Sequence, residues 1–519
     1  MMLNPTIKLI LTTIIAIVCF TKGSCQTETD SLMTKNYKSN EVLKGLILDA
    51  NDQSPLPYTN IYLLNKNKGV VSNEKGHFSI NIANCKETDT LRISYIGYKT
   101  KDLTIEELKI SSIVSLKEDN LMLNNITVFG STPDPKTIVK KVIENKAENY
   151  GETSCKKQIF LRNRQISNVN QINFNCKKSS FSNLNTELIE LLEKEIPKHT
   201  ISYTDFLADV FVLRQENDSF AFKVDPIKII ELEEKTDLTK LGELAEIFKD
   251  VLNNTGNNEY WKIKTGIIGS KVNVDENSVS VGTEGEKTDS LSNENRDPLL
   301  FQKWSIKDIA SYSSLYDEDD WEFLYSTSKY QYTLYGATVA NGEEVYIIDF
   351  EPNNRGVFVG RMYVSMYTYA LIRVDYEYFP ERMGRDIQLL GMGFSENKFN
   401  ASLYFEKKEE RYQLKYCSKI EGYNYSFDRA VSLLKKKERF LLDKKLDEIK
   451  VGIDFSGATE SSVEILVLEE EQISQDLFNN FEENNNIEII YVNQFNEDLW
   501  KGYSVIEPTK QMKDYKKLK

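Results

Sequence analysis

The chain has 519 residues, of which 40% are hydrophobic, 11% aromatic and 28% charged. This ordinary globular composition excludes a disordered chain, a collagen-like chain and a bundle of membrane helices, and the length suggests about three domains. The excess of 79 acidic over 65 basic residues argues against a nucleic-acid binder, which needs a basic surface.

The first 25 residues have the pattern of an export signal. Lys8 supplies a short basic segment, and an apolar stretch runs from Leu9 to Phe20. As a helix this stretch spans about 18 Å, too little for the roughly 30 Å apolar layer of a membrane. A cleaved signal peptide over 1–25 is therefore predicted. The sequence Gly23-Ser24-Cys25 also fits the end of a lipoprotein signal, so cleavage before Gln26 and lipidation of Cys25 both remain open.

Four cysteines remain after cleavage before Gln26, namely Cys85, Cys155, Cys176 and Cys417. Exported proteins can hold disulfides. Cys155 and Cys176 flank two predicted strands, so a hairpin between them would allow a disulfide; four buried thiols are the alternative. The chain has no CxxC sequence, which argues against a redox motif and against a cysteine zinc site.

Residues 43–130 alternate short apolar runs with turn-forming sequences. Leu91, Ile93 and Tyr95 share one face of a predicted strand while Arg92 and Ser94 share the other. Short strands at intervals of about 8–12 residues indicate a β-sandwich. Gly76 and Gly97 are expected at positive φ in tight turns.

The motifs of this segment resemble those of the carboxypeptidase-regulatory-like domain. They are Gly45, Asp49, Pro55-Leu56, Asn60-Ile61, Gly69-Val70-Val71, Asn73-Glu74-Lys75-Gly76-His77-Phe78 and Ser94-Tyr95-Ile96-Gly97-Tyr98. The resemblance implies a seven-stranded, transthyretin-like sandwich that serves as an accessory domain in exported bacterial proteins, including TonB-dependent transporters. It also implies a location in the periplasm or at the outer membrane.

The resemblance does not bring a peptidase. A zinc carboxypeptidase needs an HxxE pair and a distant histidine as third ligand. The chain has only two histidines: His77 is followed by Phe-Ser-Ile and His199 by Thr-Ile-Ser. Neither has a second ligand at usable spacing, so both are interpreted as surface or packing residues.

Residues 131–300 are predicted to form a helix-rich mixed region. Asp134 is a good N-cap before Pro135, and apolar residues follow at helical spacing. Further helices are expected at 187–195 and 240–252, and a hairpin at 160–175. The polar stretch 275–298 is predicted to be a flexible insertion.

Residues 301–519 are predicted to form an antiparallel β domain with one or two helices. Strands are expected at Tyr330–Tyr335, Val345–Phe350, Val357–Val364, Ala370–Tyr378, Leu403–Phe405 and Tyr412–Tyr416. The segment 344–378 loosely resembles the curved sheets of periplasmic lipoprotein carriers. A concave apolar face could hold acyl chains or another protein, or helices such as 428–448 or 240–252 could cover it.

Three charged runs are interpreted as solvent-exposed. Asp317-Glu318-Asp319-Asp320 lacks the alternating spacing and the glycine of a calcium loop, so it is read as an acidic turn. Lys435-Lys436-Lys437 and the terminal Lys513, Lys516, Lys517 and Lys519 are read as exposed faces, with contact to anionic lipid head groups as the alternative.

No catalytic motif is recognisable. The chain has neither a GxSxG nucleophile elbow nor a GxxxxGK[ST] phosphate loop. We therefore predict no catalytic, cofactor-binding or metal-binding residues. The predicted function is that of a non-enzymatic accessory or interaction subunit for outer-membrane assembly, transport or secretion machinery, with an outer-membrane β-barrel protein or its complex as partner. The alternatives are a lipid- or glycan-binding carrier or receptor and, third, a carboxylate-based hydrolase.

Overall fold

The computed structural model describes residues 42–515 with internal gaps. The gaps are 65, 67, 120–132, 151–153, 183, 215–219, 234–249, 253–254, 267, 276–277, 283–298, 341, 354, 409, 441 and 485–486. The predicted signal peptide with Cys25, and all but the last three residues of the predicted helix 240–252, lie outside the described residues. So do Lys516, Lys517 and Lys519.

The N-terminal unit is a sandwich of seven strands, as predicted. The elements are β1 (Val42–Asp49), β2 (Asn60–Leu63), β3 (Lys68–Val71), β4 (His77–Asn81), β5 (Thr90–Ser94), β6 (Lys101–Thr104), α1 (Ile105–Ile110) and β7 (Ile113–Leu116). One sheet has the order β4-β1-β7 and the other β3-β2-β5-β6. Ile47, Ile61, Phe78 and Ile93 are fully buried between them.

The turn before β4 shows why Gly76 is needed. Its φ is +77°, and a Cβ there would collide with the Ile47 carbonyl oxygen. The Asn73 side chain closes the turn because its Oδ1 accepts hydrogen bonds from the backbone N–H groups of Lys75 and His77. Gly97 also has a positive φ, of +87°. Both conformations confirm the prediction.

The helices after the sandwich begin with α2 (Pro135–Glu144), α3 (Lys146–Asn149) and α4 (Thr186–Glu195). Asp134 caps α2, since its Oδ2 accepts a hydrogen bond of 3.0 Å from the Thr137 N–H. Both the α2 start and α4 match the sequence prediction. The remaining helices are α5 (Leu300–Ser313), α6 (Glu322–Tyr325), α7 (Gln475–Asn480) and α8 (Lys510–Lys513).

A third, much larger sheet contains the other fifteen described strands. They are β8 (Cys155–Ser179), β9 (His199–Arg214), β10 (Phe220–Glu233), β11 (Glu259–Thr265), β12 (Ile268–Asp275), β13 (Ser278–Gly282), β14 (Tyr330–Ala340), β15 (Glu343–Pro352), β16 (Phe358–Ser365), β17 (Leu371–Tyr378), β18 (Asp386–Leu389), β19 (Met392–Lys408), β20 (Arg411–Lys437), β21 (Lys444–Gln472) and β22 (Ile489–Val492). The main order is β14-β15-β16-β17-β19-β20-β21-β8-β9-β10-β22. The hairpin strands β11, β12 and β13 join at β20, and β18 joins at β19.

This sheet corrects three predictions. The predicted hairpin at 160–175 is wrong, because β8 is one continuous strand of 25 residues. The predicted helix 428–448 is wrong, because 428–437 belong to β20 and 444–448 to β21. The helix-rich middle region is no separate unit, because β8 to β13 belong to the same sheet as the C-terminal strands. Residues 278–282 of the predicted flexible insertion form β13, and 283–298 lie outside the described residues.

The two faces of the large sheet differ in polarity. Residues opposite each other on neighbouring strands share a face. Phe206, Leu161, Ile465 and Cys417 form one such apolar row across four strands. Asp205, Arg162, Glu464 and Ser418 form the adjacent row, which points to the other side and is polar. The sandwich packs on the polar face, while α5 and α6 pack on the apolar face.

Candidate binding face

The residues considered for catalysis or metal binding are dispersed. His77 is exposed at the start of β4, and the His199 ring nitrogen Nδ1 lies 2.7 Å from Asn168 Oδ1. Within the described part of the chain, no group of three His, Cys, Asp or Glu side chains is arranged to hold a metal ion. The structure therefore brings none of these residues together into a reactive cluster.

Cys155 and Cys176 cannot form the disulfide considered from the sequence. Both lie on β8, separated by 21 positions along one extended strand. At about 3.3 Å per residue they are roughly 70 Å apart, whereas a disulfide needs Cα atoms within about 7 Å. The pairing failed because it depended on a hairpin that the chain does not form. Cys417 is also buried, and burial raises the pKa of its thiol to about 12.

The lysine run 435–437 is only partly exposed. Lys435 is buried in β20, and its Nζ lies 3.1 Å from Glu259 Oε2. Lys437 is exposed at the strand end. The prediction of an exposed face is therefore wrong for Lys435, because β11 pairs alongside β20 and supplies the carboxylate.

The acidic run 317–320 forms a turn before α6. Asp317 Oδ1 accepts hydrogen bonds from the N–H groups of Asp319 (2.9 Å) and Asp320 (3.2 Å). Asp317, Glu318 and Asp319 are exposed. Asp320 is half-buried, and burial raises the pKa of its carboxyl to about 6, although Lys419 opposes the shift. The nearby acids Asp317, Glu421 and Asp308 raise it further.

The Asp320 carboxyl is expected to make stability depend on pH. Its pKa in the folded state lies above its unfolded value, so its contribution is complete below about pH 4 and is lost as the pH rises through about 6. Asp320→Asn should therefore raise the free energy of unfolding at pH 7 by at most about 3 kcal/mol and leave it unchanged near pH 3.5. Urea unfolding at both pH values measures this, with the exposed neighbour Asp319→Asn as control. Equal effects of the two substitutions would contradict the assignment.

The apolar face is closed by helices at one end. Trp321 and Tyr312 stack with ring centroids 5.4 Å apart, and Phe323 stacks on Phe350 of β15 at 4.2 Å. Tyr376 of β17 joins this cluster at 4.8 Å from Phe323. Here the sheet and the helices form a filled core.

The apolar face continues beyond these helices, and there none of its residues joins a hydrophobic core cluster of the described chain until the cluster under α4. Its boundary is polar: Lys419 Nζ lies 3.0 Å from Asp308 Oδ2 on α5 and 3.4 Å from Glu421 Oε2. Past this boundary the same side of five strands carries eleven apolar residues, which we call the open face. They are Val169, Ile172, Met392, Phe394, Ile387, Leu389, Tyr423, Tyr425, Phe427, Ile453 and Phe455.

Aromatic side chains of the open face stack on one another. Phe394 stacks on Tyr423, and Tyr425 stacks on Phe455, both with centroids 5.7 Å apart. Phe427 and Met392 are buried at the centre, whereas the other nine stay half-buried or exposed. Within the described residues, none of the eleven belongs to a hydrophobic core cluster.

A second, small cluster bounds the open face at its far end. Leu184, Ile189 and Leu192 from α4 and the residues before it pack on Ile449 of β21. The open face therefore lies between the core under α5 and the cluster under α4. Across five strands it measures about 19 Å, and from Tyr423 to Phe427 about 14 Å along the strand. A footprint on the order of 300 Å² is typical of functional apolar patches on soluble proteins.

The polar face of the sheet holds the sandwich in place. Arg162 and Asp205 form a buried bidentate pair with two N–O distances of 2.7 Å. Tyr416 O–H donates to Glu464 at 2.9 Å, and burial raises the pKa of Glu464. Tyr58 of the sandwich stacks on Tyr416 with centroids 5.0 Å apart. The docked sandwich therefore leaves the opposite, open face accessible.

One cavity of about 190 Å³ lies where the sandwich meets β19, β20 and β21. Lys415 Nζ donates to the Val467 carbonyl oxygen at 2.6 Å, and burial lowers the pKa of this lysine. The other lining residues are Tyr62, Glu406, Lys408, Gln413, Leu414 and 468–472. Because half of its lining residues are charged, the cavity does not suit an apolar ligand.

The sequence predicts an apolar sheet face. It predicts neither the location of the open face nor the helix α5. The signal for the location is the alternation Tyr423, Tyr425, Phe427 against Asn424, Ser426 and Asp428. No helix of the described chain has the length and apolar character needed to cross a membrane.

Comparison with known proteins identifies the sandwich. The CarboxypepD_reg-like domain family matches residues 43–128. The comparison with curated proteins gave no match.

The comparison with solved structures gives weak matches, of which two are described here. The MucA/MucB complex of Pseudomonas aeruginosa is similar at 8% identity over 66% of this chain and 100% of the matched chain, with a TM-score of 0.18. A LolA superfamily protein of Nitrosomonas europaea matches at 8% identity over 67% and 98%, with a TM-score of 0.14. At these TM-scores neither likeness carries an argument about function. The family match, by contrast, agrees with the seven observed strands: residues 43–128 form a CarboxypepD_reg-like domain.

Proposed function

We propose that the chain is an exported, non-catalytic binding protein of the periplasm or outer membrane that holds an apolar ligand on its open face. The observation that carries this proposal is the run of eleven apolar side chains across five strands, of which nine remain half-buried or exposed. A lipid acyl chain suits this surface better than a glycan, which would need many polar partners.

The size of the surface supports a binding role. Covering a footprint of about 300 Å² contributes at most about 7 kcal/mol before the costs of association are subtracted. The largest apolar patch on a soluble protein commonly has about this size and is often functional. The N-terminal pattern of an export signal and the CarboxypepD_reg-like domain support a location in the cell envelope.

Adjacent residues of β21 give a matched test. Phe455 lies on the open face, whereas Ser456 lies on the opposite, polar face. We expect Phe455→Asp to lower the affinity for acyl probes at least tenfold, because it places a charge in the apolar patch. Ser456→Asp should leave the affinity unchanged. Native mass spectrometry and fluorescence titration with a polyene fatty acid measure both; equal affinities in the two variants would contradict the proposal.

An accessory subunit of outer-membrane assembly, transport or secretion machinery is the second candidate. It is favoured by the start of α5, which exposes Leu300 (63%), Phe301 (50%) and Trp304 (58%). A group of exposed apolar side chains on one helix is typical of a surface that contacts a partner.

Purification from detergent-solubilised membranes tests this second role. If it is correct, an outer-membrane β-barrel protein or its complex should co-purify with the wild-type chain. The amount should fall when Phe301 and Trp304 are replaced by serine and stay constant for Ser311→Ala, at an exposed position of the same helix. Recovery of the wild-type chain alone would exclude this candidate.

A further inference from the structure

We infer that Arg429 binds the anionic head group of a single-chain amphiphile whose acyl chain lies on the open face. This inference rests on the proposed function and adds the ligand's charge and polarity. The head group would be a carboxylate or a phosphate, both of which match the donor geometry of a guanidinium.

The strand register places Arg429 on the same side as the open face. Arg429 lies opposite Ile453 of β21, which lies opposite Phe174 of β8. Along β20, Arg429 is the next residue after Tyr423, Tyr425 and Phe427 on the same side of the strand. A charged side chain thus interrupts an otherwise apolar row, between Phe427 on one side and Val431 on the other.

The guanidinium is held in position, and one of its nitrogens lacks an acceptor. A Cβ at Gly266, in the turn between β11 and β12, would collide with Arg429 Nη2. A Cβ at Gly391 would lie 3.3 Å from Arg429 Cγ. The side chain is therefore held between two turns. Its Nη1 is buried and has no hydrogen-bond partner among the described residues.

A buried charged donor without an acceptor is unfavourable, and proteins seldom keep one without a function. An anion would supply the missing acceptor, and the apolar row beside Arg429 would accept the chain attached to it. From Arg429 to Tyr423 the row extends about 20 Å, which accommodates a long acyl chain along the strand. The juxtaposition therefore matches an amphiphile and neither a neutral hydrocarbon nor a free anion.

Isothermal titration of the full-length mature chain with four probes tests the inference. The probes are dodecanoate, dodecyl phosphate, 1-dodecanol and inorganic phosphate, each below its aggregation concentration. Wild type should bind the two anionic amphiphiles about ten- to hundredfold more tightly than dodecanol, because a hydrogen-bonded ion pair is added. Inorganic phosphate should not bind. If dodecanoate binds more tightly than dodecyl phosphate, the natural ligand is a fatty acid; if dodecyl phosphate binds more tightly, it is a lipid with a phosphate head group.

The variants separate this inference from the proposed function. Arg429→Leu should abolish the preference for anions, keep the affinity for dodecanol and leave the protein at least as stable, since an unpaired buried charge is removed. The exposed Arg439→Leu should change nothing. If wild type binds all three amphiphiles equally, the inference is wrong and the proposed function stands. If wild type binds none of them, both are wrong.

Discussion

Asp205→Ala is expected to lower the free energy of unfolding by about 3–5 kcal/mol, because it leaves the Arg162 guanidinium buried without its counter-charge. The side chains of Arg162 and Asp205 are 4% and 1% exposed. Arg162 Nη1 also donates to the Ile506 carbonyl oxygen at 3.0 Å, so the pair connects the sheet to the C-terminal segment. Urea unfolding followed by circular dichroism measures the loss.

Two further variants serve as controls for Asp205→Ala. Asp454→Ala, on the same face of the sheet but partly exposed and bonded to Gln171, should cost less than about 1 kcal/mol. Replacing Arg162 by Met and Asp205 by Leu together should be nearly neutral, because no buried charge remains. A loss below about 1 kcal/mol for Asp205→Ala would show that the pair is solvated in solution.

Trp321→Ala is expected to cost a similar amount, about 3–5 kcal/mol, through the cavity that it leaves. Trp321 is fully buried, stacks on Tyr312, and its Nε1 donates to the Tyr312 carbonyl oxygen at 2.9 Å. It therefore connects the α6 turn to α5 and both to the sheet. Thermal and urea unfolding measure the change.

The exposed Trp304 provides the matched control for this substitution. Trp304→Ala removes the same side chain from the surface of α5 and should alter stability by less than about 0.5 kcal/mol. Similar losses for the two variants would mean that α5 does not pack on the sheet as described. The comparison thus tests whether the apolar face is covered at this end.

The sandwich could be predicted because its signals are local. Turns such as Asn73 to Gly76 require particular residues at particular positions, and the strands between them are short. The same holds for the cap at Asp134, where the capping side chain and Pro135 are adjacent in sequence. Such features need no knowledge of distant partners.

The large sheet was harder to predict because its strands pair over long distances. The alternation within β8 is readable, but its neighbour β21 begins at Lys444, almost 300 residues later. The predicted helix over 428–448 is wrong because the apolar and lysine residues of this segment fit both the helical repeat and the strand repeat. Only the paired strand β21 resolves the ambiguity.

The sequence predicts that the sheet has an apolar face, but it does not predict which strands carry the open face. The alternation from Tyr423 to Phe427 shows which residues share a side, but a sequence does not show whether another element covers that side. Arg429 interrupts this alternation, and that interruption could have been noticed. Its lack of an acceptor is visible only in three dimensions.

The pairing of β8 with β21 also constrains the order in which the molecule assembles. β8 borders β9 on one edge and β21 on the other. The backbone N–H and C=O groups of its second edge therefore stay unpaired until residues 444–472 are available. Topologies dominated by such remote contacts fold slowly and expose strand edges to aggregation in the meantime. The sandwich, whose contacts are local, is expected to fold first, and the unpaired edge of β8 should remain prone to aggregation until β21 is available.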